Sequence, residues 1–173
     1  MSHYVLILAA GEGSRLKSKT PKQFLELNGL PIVMHSMITF QHADPDAKMY
    51  IALPEKYIKK WPLLCKKYNF RIQHEVYSGG KNRLSSVFNG MQMITKKNTM
   101  LQKRSIISIH DAARPFISRQ FILGLMQTAY DVGIAIPGLP IKNSLRYKKQ
   151  DLHNSTISVN RNQYIAIQTP QVF

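Results

Sequence analysis

The segment from His3 to Ala10, HYVLILAA, closed by Gly11-Glu12-Gly13, limits the folds open to this chain more than any other. It alternates too little between apolar and polar residues for a half-exposed strand, so both of its faces must be buried. Strands of that kind belong to parallel sheets covered by helices on both sides. Further strand-like runs follow at KMYIAL (48–53), RIQHEVY (71–77) and SIISIHD (105–111). Between them lie stretches with helical spacing: 30–43, one opened by Pro54 that carries Tyr57, Ile58, Trp61, Leu64 and Cys65, and 84–94. Ser118 is positioned to cap a helix running from Gln120 to about Tyr130. Alternation of this kind predicts an α/β fold, a Rossmann-like, mostly parallel sheet with helices on both faces. From Gly133 the chain turns more β-rich, and the stretch from Ile141 to Arg161 breaks the rhythm. GIAIPGLP, SLRYKK, STISVN and YIAIQT read as short strands, and the polar stretch 141–161 reads as a projecting β-arm on a single domain of residues 1–173.

Composition narrows the class. Lys and Arg number 24 against 9 Asp and Glu, a formal charge of +15. Such an excess attracts polyanions, so nucleic acid, nucleotides and phosphorylated small molecules are all candidate ligands. The basic residues are scattered in pairs such as Lys59-Lys60 and Lys96-Lys97, without a basic arm or an aromatic-interleaved basic tract, which makes nucleic acid the weaker candidate. The single cysteine, Cys65, cannot form an intrachain disulfide. The apolar runs are strand-sized, and no basic residue precedes the first of them, so neither a membrane span nor a signal peptide is expected. A cytoplasmic protein is the expectation.

Open α/β sheets bind ligands at the carboxyl ends of their strands. The turn there reads LAAGEGSR, where Gly11 and Gly13 let backbone N–H groups approach a phosphate, and Arg15 and Lys22 supply cations. Neither the dinucleotide fingerprint nor the P-loop pattern is met. LAAGEGSR followed by PKQFLEL resembles the N-terminal signature of nucleotidyltransferases acting on sugar and polyol phosphates, and Pro21-Lys22-Gln23 resembles its cytidylyltransferase branch. SGGKNRLSSVFNG (78–90), HDAARPF (110–116) and the pair NSLR (143–146) and NRNQYIAIQTPQ (160–171) extend the likeness in order along the chain. Together they resemble the 2-C-methyl-D-erythritol 4-phosphate cytidylyltransferase family.

That resemblance implies CMP transfer from CTP to a polyol phosphate, with Mg²⁺ as cofactor, in a homodimer formed through the arm. It implies Arg15, Lys22 and Arg161 as catalytic residues and Ala9, Ala10, Gly11, Gly13, Gly80 and Ser86 as the nucleotide site. It further implies Arg114, Ser144, Arg161 and Thr169 as acceptor contacts, Asp111 as a metal ligand, and His110 as a core residue. Lys81 stands where several relatives carry an acid, and Asn143 and Asn160 stand where the family pattern has Asp. The family continues past Gln-Thr-Pro-Gln with a further helix, a late strand, a second metal-binding Asp and an acceptor-positioning Lys, so the resemblance implies a C-terminally truncated member. Ribitol 5-phosphate is the alternative acceptor; Ala113 and Arg146 favour methylerythritol phosphate. A non-catalytic nucleotide-binding protein and a nucleic-acid-binding protein are the alternatives from other classes.

Overall fold

The computed structural model describes residues 2–11, 20–97, 105–148 and 155–173. A five-stranded sheet forms its centre. The apolar N-terminal run becomes β1 (His3–Leu8), the middle strand. A 3-10 turn at Lys22–Phe24 and a small hairpin of β2 (Glu26–Leu27) and β3 (Leu30–Pro31) lead into α1 (Ile32–Ala43). The chain continues through β4 (Lys48–Leu53), α2 (Glu55–Ile58), α3 (Trp61–Lys67), β5 (Glu75–Ser78), α4 (Arg83–Lys97) and β6 (Ile106–Asp111). Next come α5 (Arg119–Val132), β7 (Gly138–Pro140), β8 (Leu145–Lys148), β9 (Thr156–Val159), β10 (Ile165–Ile167) and β11 (Gln171–Val172).

Sheet order is β11-β6-β1-β4-β5, with β6, β1, β4 and β5 parallel and β11 antiparallel to β6. Successive side chains of β1 point to opposite faces. Val5 and Ile7 join the core under α1, α3 and α5, which includes Met34, Phe40, Trp61 and Ile122. Tyr4 and Leu6 join the other core, with Tyr50, Tyr77 and Ile94 of α4. Helices therefore cover both faces, and β1 is buried twice over, as its uninterrupted apolar pattern requires.

Helix ends follow local chemistry. Ser118 accepts a hydrogen bond from the Phe121 N–H at the start of α5, and Gly133 ends that helix in the left-handed region at φ 93°. Two expected elements differ from the structure. The strand expected over 71–77 shortens to β5, and its first residues become a strap in which His74 Nδ1–H donates to the Ile72 carbonyl. The helical stretch after Pro54 is two pieces, α2 and α3, because Pro62 in the first turn of α3 has no N–H to continue a ladder from α2.

Outside the main sheet, β7 pairs with β10 on either side of the stretch expected as an arm, and β8 pairs with β9 within it, both antiparallel. Arg146 of β8 donates through Nε to Thr156 Oγ1 and through Nη2 to the Thr156 carbonyl of β9. Among the described residues no helix is long and apolar enough to cross a membrane.

Candidate active site

The carboxyl ends of β1, β5 and β6 open onto one cleft, lined by Leu8 to Gly11, Lys22, Gly79 to Arg83, Ser86, Asp111 and Arg114, among others. Three connections build it. The first ties the turn after β1 to the Pro-Lys-Gln segment: buried Gln23 donates from Nε2 to the carbonyls of Ala9 (2.6 Å) and Gly11 (2.8 Å). That bond fixes the backbone on either side of Ala10 and brings Lys22, the neighbour of Gln23, to the cleft. Gln23 is a positioning residue that sequence reasoning passes over; it is legible only as part of Pro21-Lys22-Gln23.

The second connection is the turn between β5 and α4. A Cβ on Gly79 would lie 2.1 Å from Ala10 Cβ, so only glycine lets this loop close on the end of β1. Ser86, buried in α4, accepts from the Gly80 N–H (3.0 Å) and donates to the Asn82 carbonyl (2.9 Å). Asn82 caps α4: its Oδ1 accepts from the Ser85 N–H (2.8 Å), and Ser85 Oγ accepts from the Asn82 N–H (3.0 Å), a reciprocal pair. The glycine turn is thus held from both sides.

The third connection joins β6 to the segment 168–171. His110 is fully buried, and burial pushes its imidazole down to about 4, so the ring is neutral. Its Nε2 faces the Arg114 carbonyl at 3.1 Å and therefore carries the proton, leaving Nδ1 to accept from the Thr169 hydroxyl at 3.2 Å. Thr169 Oγ1 in turn accepts from the Asp111 N–H at 3.2 Å. His110 and Thr169 orient the backbone that presents Asp111 and Arg114.

Asp111 meets two guanidiniums, Arg83 Nε at 3.2 Å and Arg114 Nε at 3.3 Å. Among the described residues, no group of three or more His, Cys, Asp or Glu side chains is placed to hold a metal ion by itself. A divalent cation here would have one hard carboxylate and would need oxygens from its ligand and water, the donor set that suits Mg²⁺ on a nucleotide.

The structure thus brings Ala9, Ala10, Gly11, Lys22, Gly80, Ser86, Asp111 and Arg114 to one cleft. An adjoining hollow shares Lys22, Ala113 and Arg114 and reaches Thr169, Gln168, Phe116 and Leu139. Ser144 and Arg161 are not among the cleft's lining; Arg161 is exposed, with Nη1 donating to the Lys142 carbonyl at 2.5 Å. Arg15 and Gly13 lie outside the described residues.

The family described as IspD, 2-C-methyl-D-erythritol 4-phosphate cytidylyltransferase, matches residues 3–173. The chain belongs to this family. It is 36% identical to the 2-C-methyl-D-erythritol 4-phosphate cytidylyltransferase of Azobacteroides pseudotrichonymphae over 98% of this chain and 72% of that one. The enzyme of the same name from Porphyromonas gingivalis is also 36% identical, over 98% of this chain and 71% of the relative. Among solved structures, the 2-C-methyl-D-erythritol 4-phosphate cytidylyltransferase of Thermus thermophilus superposes with a TM-score of 0.70 at 25% identity, covering all of this chain and 70% of the other.

Proposed function

We propose that this chain transfers CMP from CTP to 2-C-methyl-D-erythritol 4-phosphate, forming 4-diphosphocytidyl-2-C-methyl-D-erythritol and pyrophosphate for isoprenoid precursor synthesis in the cytoplasm. The observation that carries this reading is the convergence of a glycine-lined turn, Lys22, Asp111 and Arg114 on one cleft in a chain of this family. An oxygen of the acceptor phosphate attacks the α-phosphorus of CTP in line. The bond from that phosphorus to the bridging oxygen breaks, and pyrophosphate leaves with the electron pair.

Each residue has a task in that transfer. The backbone at Ala9, Ala10 and Gly11, together with Gly13, faces the nucleotide, and Gly80 and Ser86 face the cytosine. Lys22 and Arg15 stabilise charge on the α-phosphate and the leaving group, where charge grows in the transition state. Arg114 and Thr169 serve the acceptor side. Ser144 and Arg161 reach the acceptor phosphate of a neighbouring subunit through the arm of a homodimer. Asp111 would hold Mg²⁺ together with nucleotide phosphates, and the cation would neutralise phosphate oxygens when bound.

Pyrophosphate release with CTP and Mg²⁺ tests the reading, with methylerythritol 4-phosphate and ribitol 5-phosphate offered in parallel. Release with the first acceptor and little with the second is the expected result. CTP binding by calorimetry without release would mark a non-catalytic nucleotide binder. Salt-sensitive binding of nucleic acid that CTP fails to displace would overturn the reading.

A further inference from the structure

Asp111 carries more positive partners than the transfer just described uses. Arg83 Nε donates to Oδ1 and Arg114 Nε donates to Oδ2, so both oxygens of the only carboxylate among the cleft's described lining residues are occupied by arginine. The far ends of both guanidiniums are also held. Arg83 Nη2 donates to Gln171 Oε1 at 3.0 Å, and Arg114 Nη1 donates to Gln168 Oε1. A divalent cation and the two guanidiniums compete for the same pair of oxygens, and their like charges repel at such range.

We propose that Arg83 is a further phosphate-binding residue, kept in reserve by Asp111 and exchanged when nucleotide arrives. A triphosphate oxygen takes the Arg83 guanidinium, which suits phosphate as well as carboxylate, and Oδ1 of Asp111 opens to the cation. Arg83 is the partner that exchanges because of where each arginine stands. Arg114 sits three residues from Asp111, and its carbonyl is tied to His110. Arg83 instead opens α4 directly after the turn of Gly80 and Asn82, on the nucleotide side of the cleft; the two side chains are equally exposed, so position in the cleft and not accessibility separates them. The exchange keeps the two arginines compensated before nucleotide binds, and it couples nucleotide binding to cation binding. This proposal rests on the reading that the cleft takes CTP and that Asp111 takes the cation.

Two binding measurements that need no turnover test it. One is Mn²⁺ binding in the absence of nucleotide, read from the electron paramagnetic resonance signal of free Mn²⁺. The other is CTP binding in the presence of a chelator, read by calorimetry. With Arg83→Met the two affinities should move in opposite directions, Mn²⁺ tightening about tenfold and CTP weakening about tenfold. Asp111→Asn should lose Mn²⁺ and bind CTP more tightly in the chelator buffer, because the arginines are released. If Asp111→Asn abolishes Mn²⁺ binding while Arg83→Met leaves it unchanged, the exchange is wrong and the cation site stands. If Asp111→Asn keeps Mn²⁺ binding, the cation site itself is wrong and the exchange goes with it. Loss of both ligands in Arg83→Met would mark a structural role and overturn the proposal.

Discussion

Single side chains in this molecule are positioned by hydrogen bonds that leave little freedom, and the consequences of changing them differ accordingly. Lys22 reaches the cleft because Gln23 beside it is bonded to the carbonyls of Ala9 and Gly11. Lys22→Ala removes a preorganised cation without touching that anchor. Turnover should therefore fall by about 10²–10³, while CTP affinity changes far less. Steady-state kinetics beside calorimetry checks this, and equal losses in both would contradict the role. His74 offers a test of another kind. Its Nδ1–H donates to the Ile72 carbonyl, and its Nε2 accepts from the indole N–H of Trp61 at 2.7 Å. Burial, the dominant cause, holds its pKa below 6.5, and a proton on Nε2 would face the indole donor. Since the unfolded chain takes up that proton first, stability is full above the ordinary histidine value and declines as pH falls below it. The thermal midpoint should drop between about pH 7.5 and about pH 5. His74→Gln should flatten the decline only in part, because burial also depresses His3 and His110.

At the scale of elements, α4 is set against the sheet by glycines at two places. A Cβ on Gly90 would stand 2.5 Å from the buried Tyr77 hydroxyl and 2.8 Å from Leu6 Cδ2. Alanine at this helical position gains about 1 kcal/mol of intrinsic propensity. Overpacking should outweigh that gain by about 1–2 kcal/mol. A lowered urea midpoint is the expected outcome for Gly90→Ala, and a raised one would refute the argument. Gly79→Ala strikes Ala10 instead, so it should reduce CTP affinity about tenfold through the site with the fold kept. Much of this arrangement can be read from the chain itself. The unbroken apolar pattern of β1, the Gly79-Gly80 turn and the Ser118 cap each have a local cause, and the structure contains each of them. The Arg83–Asp111–Arg114 cluster with its two glutamines cannot be read, since its contacts join residues 3 to 88 positions apart and leave no periodic trace. The shortening of β5 is hidden for a related reason. Residues 71–74 have strand composition, but Trp61 and the Ile72 carbonyl bind His74 and draw them into a strap.

Across the whole molecule, exposed apolar side chains gather from the last residue of α5 onward and along the small ladder beyond it: Val132, Ile134, Ile136, Leu139, Ile165 and Ile167. Patches of that kind mark surfaces that another body covers. The homodimer proposed above makes a separate demand, on the arm rather than on this patch. Sedimentation should show a dimer for the native chain and a monomer when residues 141–161 are replaced by a short Gly-Ser linker. The shortened chain should still bind CTP and should lose turnover; a dimer that survives the replacement would exclude the arm as its basis. The return of β11 along β6 also sets when the protein becomes competent during its synthesis. Because residues 168–171 come 54 to 88 positions after their partners, the glutamines and the threonine meet Arg83, Asp111 and Arg114 only after the segment that carries them has left the ribosome. The parallel core of β1, β4 and β5 can assemble earlier, from contacts closer in sequence. A nascent chain would then hold a folded scaffold first, and the outer ends of Arg83 and Arg114 would lack their glutamine partners until residues 168–171 dock.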